Sequence, residues 1–328
     1  MKKKLTWRGA WGLVKDAFTG FLDDKVVKLS GALAYFTVFS IGPMLIVIIF
    51  FADLFYGREA VEGTIFGQIK GFVGATTAAQ IQEIIRSAAL SGKGPVTGII
   101  GIITLLIGAT TVFAEIQDTI NTIWGLKPKP EKGWLKIVLD RLLSFSIVVS
   151  IGFLLLVSLV VTGLVEALSN HLINIFPHIA LLLIYIFNLL ITFGVVTLLF
   201  AIIFKVLPDA KIKWKDVITG AMVAAVLFMI GKFGITFYIG SSNVSTAYGT
   251  AGSFVILMLW VYYSSIILYF GAEFTKAYAA TYGGLIKPNQ YAVWVKQIEV
   301  EDESGSLKYQ EQKKKEENEE TGDNIKVK

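Results

Sequence analysis

The sequence predicts an all-α polytopic membrane protein with six transmembrane helices, and three observations lead to this fold class. Hydrophobic residues make up 54% of the 328 positions, compared with roughly 45–50% in soluble domains. They are gathered into six runs that hold almost no charge. The length of each run is close to what a helix needs to cross a bilayer, about 20 residues. Along the chain, the connections between these runs are alternately rich and poor in Lys and Arg. The spans are expected near 32–54, 95–114, 142–164, 179–204, 217–238 and 253–271.

The positions of the basic residues predict the orientation of the spans. They are frequent before span one, between spans two and three, and between spans four and five, whereas the connections after spans three and five contain no Lys or Arg. Because such residues concentrate on the cytoplasmic side, both termini are placed in the cytoplasm. Anionic lipid headgroups then explain the net charge of +5, and no nucleic-acid partner is expected. The candidate headgroup contacts are Arg141, Lys213 and Lys215.

Residues 1–31 form a cytoplasmic segment in front of span one, and their pattern predicts an amphipathic helix. Arg8, Lys15 and Asp16 interrupt a series of apolar residues at helical spacing: Leu5, Trp7, Trp11, Val14, Phe18, Phe21 and Leu22. A helix of this composition lies in the membrane interface with its apolar face among the lipids. The alternative is a helix that packs on the cytoplasmic loops.

Pro43 lies well inside span one, in "SGALAYFTVFSIGPMLIVIIFF", and predicts a kink. Proline removes one backbone hydrogen bond and clashes with the carbonyl four residues earlier, that of Phe39. Thr37 and Ser40 are near enough to give that carbonyl another partner, which the hydrocarbon region requires. The kink is more typical of packing geometry than of a moving gate.

The remaining connections have their own signals. Residues 57–94 predict two short helices on the outer surface, and the helix of span two is expected to continue into the cytoplasm and to stop before Pro128. Pro208-Asp209 predicts a turn after span four. The transmembrane domain is placed at 32–285. Residues 286–328 are predicted to be a disordered cytoplasmic tail, because Glu and Lys dominate residues 299–328 without apolar periodicity.

Three separated segments carry a family resemblance. They are "ALAYFTVFSIGPMLIV" in span one, "FKVLPDAKIKWKDVITGAMVAAVLF" leading into span five, and "YGTAGSFVILMLWVYYSSIILYFGAEFTKAYA" around span six. In order and spacing they resemble the YihY/BrkB family of bacterial inner-membrane proteins, once described as ribonuclease BN-like, over roughly residues 10–285. The resemblance implies six membrane helices and a multi-pass location in the cytoplasmic membrane. It implies no particular biochemical activity.

The residues do not favour an enzyme. Nucleases commonly activate water with metal ions held by clustered carboxylates or histidines. The chain has two histidines, His171 and His178, which the topology places outside, and it has no cysteine. No H-x-H-x-D, H-E-x-x-H, P-loop or G-x-G-x-x-G pattern occurs. No catalytic residue, metal or cofactor is therefore expected, and a ribonuclease is the least favoured function.

Polar residues at membrane depth are the candidate functional residues, because a charge at the bilayer centre costs about 2.5–3.5 kcal/mol on insertion scales. Lys232 lies about fifteen residues into span five, roughly 22 Å deep at 1.5 Å per residue. It either lines a pathway or has a structural role, such as pairing with Glu166. Glu115 and Asp118 share a helix face near the inner end of span two, where contact with headgroup water is the simpler interpretation. Asn188 in span four favours an interhelical hydrogen bond over a ligand contact.

Residues 240–253, "GSSNVSTAYGTAGS", join spans five and six on the outer side without a charged residue. A loop of Ser, Thr and Gly satisfies its own polar groups, and irregular backbone at membrane depth occurs where it is buried or lines a wet cavity. The loop is therefore expected to dip into the bundle opposite Pro43, the alternative being a tightly packed outer loop. The cavity residues would be Ser241, Ser242, Asn243, Ser245, Thr246, Tyr248 and Thr250.

Taken together, these features favour a protein that handles or transports a small or lipidic substrate across the cytoplasmic membrane without an ATPase of its own. The alternative is a non-catalytic membrane scaffold of an envelope or lipid-assembly complex. The expected partners are membrane lipids, together with a further copy of the chain or a protein of an envelope complex.

Overall fold

The structure is a computed structural model of the chain, and it describes residues 6–55, 79, 108, 111–129, 177–241, 252–284 and 286–295. Within these ranges the chain is mostly helical. The helices are α1 (Trp7–Asp23), α2 (Val26–Phe55), α3 (described at 111–123), α4 (Pro177–Val206), α5 (Trp214–Ser241) and α6 (Gly252–Thr281). The strands are β1 (Leu126–Pro128), β2 (Ala210–Lys211), β3 (Lys287–Pro288) and β4 (Ala292–Trp294).

Three of the described helices are long and apolar enough to cross a membrane. Their apolar segments are Ile186–Val206 in α4, Trp214–Ile235 in α5 and Phe254–Thr281 in α6. These segments overlap the predicted spans four, five and six, and α2 covers the predicted span one with one continuous helix. The prediction of a mostly helical chain with helices long and apolar enough to cross a membrane is therefore confirmed. The predicted span at 142–164, and nearly all of the one at 95–114, lie outside the described residues.

Large apolar side chains are distributed in two ways in these helices. Phe187 and Leu190 on α4, and Phe233 and Phe237 on α5, are exposed on the outside of the bundle. This outward belt is what lipid-facing helices require, because lipid tails accept apolar surface that water does not. The inward faces form one core in which α2 packs on α6, α6 on α5, and α5 on α4. Its fully buried members include Phe204, Ile120, Ile123, Val217 and Tyr269.

Small residues let these helices approach each other closely. A Cβ atom added to Gly271 of α6 would lie 2.8 Å from the Ala224 Cβ of α5 and 2.9 Å from the Phe204 Cζ of α4. No larger side chain fits there without a shift of the helices. This position is an example of the close backbone approach through small residues that holds membrane helices together.

Residues after α6 return to the bundle, which corrects one prediction. β4 pairs antiparallel with β1, and β3 pairs antiparallel with β2. The prediction that the disordered tail begins at 286 is therefore wrong for 286–294, which belongs to the compact unit Met1–Trp294. The strands are two or three residues long, too short to show a period. Backbone pairing and the buried side chains of Ile286 and Ala292 hold them. The second unit, Val295–Lys328, is described only at Val295.

α2 continues as a helix through Pro43. The Ser40 hydroxyl donates a hydrogen bond to the Phe36 carbonyl at 2.8 Å, the bond to the preceding turn that serine commonly makes within a helix. It therefore serves a different carbonyl from that of Phe39, which was its expected partner.

Candidate functional site

A buried polar network joins three distant parts of the chain at one end of the bundle. Its centre is Asp209, which is only 5% exposed. Asn121 of α3 donates from its side chain to Asp209 Oδ2 at 3.0 Å and accepts from the Asp209 backbone N–H at 2.8 Å. Gln117, one turn earlier on α3, donates to the same oxygen at 3.4 Å. Asn289, between β3 and β4, donates to Asp209 Oδ1 at 3.2 Å.

This network has a clear chemical purpose. A buried carboxylate is costly unless hydrogen-bond donors satisfy its oxygens, and here three side-chain amides do so. The Asn289 backbone N–H also donates to the Asp209 carbonyl at 2.9 Å. The arrangement therefore fixes the turn between α4 and α5 to α3 on one side and to the returning C-terminal segment on the other. Its role is to hold this end of the bundle together.

Two further acidic residues are buried at the same end. Asp216 in the first turn of α5 accepts a hydrogen bond from the Gly284 backbone N–H at 2.9 Å, just after α6. Glu273 of α6 is only 2% exposed. The Lys276 Nζ lies 3.5 Å from Glu273 Oε2 and 3.3 Å from Asp24 Oδ2, at the end of α1. These contacts tie α1, α5 and α6 to each other.

The sequence interpretation missed this network, although part of its signal was present. Gln117 and Asn121 are four residues apart and flank Ile120 on a helix that is otherwise apolar on that face. Such a pair indicates a buried polar partner, because amides on the buried face of a helix need hydrogen bonds. Asp209 was interpreted only as a turn residue. Asn289 lay in the segment assigned to the disordered tail, so nothing pointed to it as the third contributor.

Glu115 and Asp118 border the network on α3. Asp118 is exposed and Glu115 is half-buried, which agrees with a helix end that reaches headgroup water. Burial, and secondarily the neighbouring charge of Asp118, raises the pKa of the Glu115 carboxyl. Glu115 therefore takes up a proton at a higher pH than a free glutamate does.

Lys232 occupies a different place, in the apolar segment of α5. At about 100° per residue, it falls on the same helix face as Ala221, Ala225 and Phe228, and it is half-buried. Phe228, one turn before it, packs against Phe200 of α4 and Trp260 of α6, each with ring centroids 6.2 Å apart. Lys232 thus lies on the α5 face that is directed toward the junction of α4, α5 and α6.

The structure describes only some of the other candidate residues. Asn188 of α4 is half-buried, and its backbone carbonyl accepts from the Thr192 hydroxyl at 2.8 Å. α5 extends to Ser241 and α6 begins at Gly252, so the connection is shorter than the predicted 240–253. Ser242 to Thr250, Glu166 and Arg141 lie outside the described residues, as do the side chains of Pro43 and Ser241. The polar cavity and the Lys232–Glu166 pair therefore stay predictions.

Lys213 and Lys215 are exposed beside the network, at the start of α5. Trp214 between them is half-exposed, and the Lys205 Nζ lies 5.7 Å from its ring centroid. Lysines around an exposed tryptophan are typical of the membrane–water interface. Among the residues that the structure describes, no group of three or more His, Cys, Asp or Glu side chains is arranged to hold a metal ion.

Comparison with known proteins gives one consistent group. The family model described as Virulence factor BrkB matches residues 17–292. A UPF0761 membrane protein of Stenotrophomonas maltophilia (strain K279a) is 28% identical over 262 residues, which cover 79% of this chain and 59% of the relative. One of Tolumonas auensis is 28% identical over 282 residues, 82% of each chain. One of Psychromonas ingrahamii is 29% identical over 254 residues, 77% of this chain and 82% of the relative. The chain thus spans about three fifths of the Stenotrophomonas relatives. No solved structure matches it significantly.

Proposed function

Because the chain belongs to the Virulence factor BrkB family, we propose that it is a multi-pass protein of the bacterial cytoplasmic membrane that transports a small or lipidic substrate without an ATPase of its own. Relatives of this chain are named membrane proteins, and the described helices have the length and apolar surface for that location. Lys232 further favours a substrate with a negative charge.

The position of Lys232 carries this proposal. A cation within a membrane-spanning helix is costly, and such residues face a bundle interior or a water-filled pathway and mark substrate or ion routes. Lys232 is half-buried on the inward face of α5, well beyond the polar network at Asp209. A lysine that served only to anchor a helix end would lie at the interface, as Lys213 and Lys215 do. An ammonium group at this depth suits a carboxylate, a phosphate or an anionic lipid headgroup.

The arrangement of the helices supports the proposed six-span topology. α3 and α4 both finish at the end of the bundle that holds Asp209. α4 has 30 residues and is therefore about 45 Å long, so it begins at the opposite end. The end of α3 and the start of α4 therefore lie at opposite ends of the bundle, which supports the proposed span near 142–164. The N-terminal α1 and the C-terminal ladders share the Asp209 end, as an N-in, C-in orientation requires.

The test replaces Lys232 and follows bound ligand and flux. Lys232→Met removes the charge with little change in length, Lys232→Arg keeps the charge, and Lys211→Met, on an exposed residue of β2, is the matched control. Mass spectrometry of the purified proteins identifies anionic lipids or solutes that copurify, and proteoliposomes loaded with the identified compound report its movement. We expect Lys232→Met to lose binding and flux at least tenfold, with Lys232→Arg and Lys211→Met close to the native chain.

Two results would contradict the proposal. If Lys232→Met is as active as the native chain in both assays, Lys232 does not serve a pathway. If the native chain retains no ligand and moves none, but instead copurifies with envelope proteins, the scaffold alternative replaces transport. Elution as a single species from size exclusion separates loss of function from loss of folding in each variant.

A further inference from the structure

α1 carries three different faces, and one of them packs against the described part of the bundle. Leu13, Ala17 and Phe21 are buried, and they pack toward Phe274 and other residues in the second half of α6. At about 100° per residue, a second face lies about a quarter turn away. It consists of five large apolar residues that are exposed, here called the exposed stripe: Trp7, Trp11, Val14, Phe18 and Leu22. The polar residues lie on the third face, among them Arg8, Lys15, Asp16 and Asp23.

The exposed stripe is too apolar for contact with water alone. Trp7 is 90% exposed and Trp11 is 72% exposed, while Phe18 and Leu22 are each more than half exposed. Single exposed apolar residues are ordinary, but a contiguous row of five that includes three aromatic rings marks an interaction surface. The row runs the whole length of a 17-residue helix, about 25 Å.

We propose that the exposed stripe binds the lipid interface of the same bilayer that α2 crosses, with Arg8 and Lys15 against anionic headgroups. We choose lipid as the partner of the exposed stripe because the apolar surface of α1 continues onto α2. α1 connects to α2 through Asp24 and Lys25, and the left-handed backbone of Lys25, with φ 52°, turns the chain sharply between the two helices. Val27, Tyr35 and Phe39 of α2 are also exposed, so apolar surface continues from the stripe onto a helix that lies in the membrane.

The level of α1 also fits a lipid interface. α1 packs against the second half of α6: Ala17 and Leu13 cluster with Phe274, and Tyr278 and Tyr282 pack against the same cluster. These residues lie near or just beyond the end of α6 at Thr281, where a membrane helix reaches the headgroups. Tryptophan is enriched at this depth. Arg8 and Lys15 lie at the edge of the polar face next to the stripe, where the negative potential of the leaflet attracts them.

Close contacts hold α1 in this position. Gly20 is packed so tightly on Glu273 that an added Cβ would lie 2.6 Å from its Oε2 atom. Lys276 bridges the Glu273 and Asp24 carboxylates. The buried face and these contacts determine how the helix is rotated, so the direction of the exposed stripe does not depend on free rotation of α1.

The chain has no cysteine, so single cysteines report their own position without background. We would spin-label Trp11→Cys and Phe18→Cys on the stripe, Asp16→Cys on the polar face, and Phe187→Cys on the lipid-facing side of α4. Each full-length variant is reconstituted into vesicles of phosphatidylcholine and phosphatidylglycerol. All four positions are exposed, so core packing is untouched; Val14→Cys replaces a stripe variant that does not elute as a single species.

Accessibility to oxygen and to a water-soluble nickel chelate gives the depth of each label. We expect positions 11 and 18 to be several-fold less accessible to nickel than position 16, and shallower than position 187. The added pair Arg8→Gln and Lys15→Gln should reduce this protection in anionic vesicles. Nickel accessibility at 11 and 18 equal to that at 16 would overturn the proposal. Spin–spin broadening at 11 and 18 that disappears on dilution with unlabelled protein would also overturn it, since a second copy would then cover the stripe.

Discussion

Asp209 connects several elements at one end of the molecule. It follows Pro208 in a short turn, and its carboxylate is shared between α3 and the segment after α6. Three side-chain amides donate to its two carboxylate oxygens, so an isosteric amide at this position would turn its own NH₂ group toward at least one of these donors.

Replacement of Asp209 is therefore expected to destabilise the folded protein. Asp209→Ala leaves the amides of Asn121, Gln117 and Asn289 without an acceptor, and each buried group left unsatisfied costs about 1–3 kcal/mol. Asp209→Asn is expected to be damaging as well, since its NH₂ group meets the amide donors. Thermal unfolding in detergent should show both variants melting several degrees below the native chain. Asp118→Asn, exposed on α3, is the control; if all three variants melt together with the native chain, the network does not stabilise this end.

At the scale of elements, the two short ladders connect the end of the compact unit to its middle. β4 pairs with β1 after α3, and β3 pairs with β2 in the turn after α4. The Lys129 backbone N–H also donates to the Tyr291 carbonyl at 2.8 Å. A segment of about ten residues thereby contacts the connections that follow α3 and α4.

Two truncations measure what this segment contributes. A chain that ends at Val295 keeps both ladders and Asn289, whereas a chain that ends at Leu285 loses them. We expect the first to melt like the full-length protein and the second to melt lower and to be cleaved faster by trypsin at the basic residues of the Asp209 end. Similar melting and cleavage of the two chains would show that the ladders add no stability.

How far the sequence predicts these elements depends on the kind of signal that each one has. α4, α5 and α6 are long apolar runs, and composition alone identifies them. α1 has a clear helical period, so its sequence predicts a helix. Which face of α1 packs and which stays exposed depends on the side chains of α6 that contact it, and the sequence of α1 does not contain that information. β2 and β3 have two residues each, and backbone pairing at that length is independent of side-chain type. Asn289 is a short polar residue in a polar stretch, so its role depends entirely on the distant Asp209.

At the scale of the whole molecule, the Asp209 end collects α1, the end of α3, the turn between α4 and α5, and the C-terminal ladders. These are the regions in which the basic residues are densest. The same rule that places basic residues in the cytoplasm therefore assigns this entire end to one side of the membrane. The opposite end would face outward and would hold the connection between α5 and α6.

Cysteine labelling checks this orientation, again without background from native cysteines. Ser169→Cys is expected to react with a membrane-impermeant maleimide added to intact cells, because the predicted topology places it outside. Lys129→Cys, which directly follows β1, is expected to react only after the membrane is permeabilised. The reverse pattern would invert the topology, and labelling of both positions in intact cells would contradict the proposed separation of the two ends.

The partners of Asp209 are synthesised at widely separated times, so the network forms late during translation. Asn121 leaves the ribosome 88 residues before Asp209, and Asn289 follows a further 80 residues later. At about 5–20 residues per second, the amide of Asn121 waits roughly ten seconds or more before the last partner of its network has been made. The membrane helices can therefore be inserted while the Asp209 end is still incomplete. Quality-control proteases on that side of the membrane would meet an unfinished surface until residue 294 has left the ribosome, and a chain released before that point would keep that surface permanently.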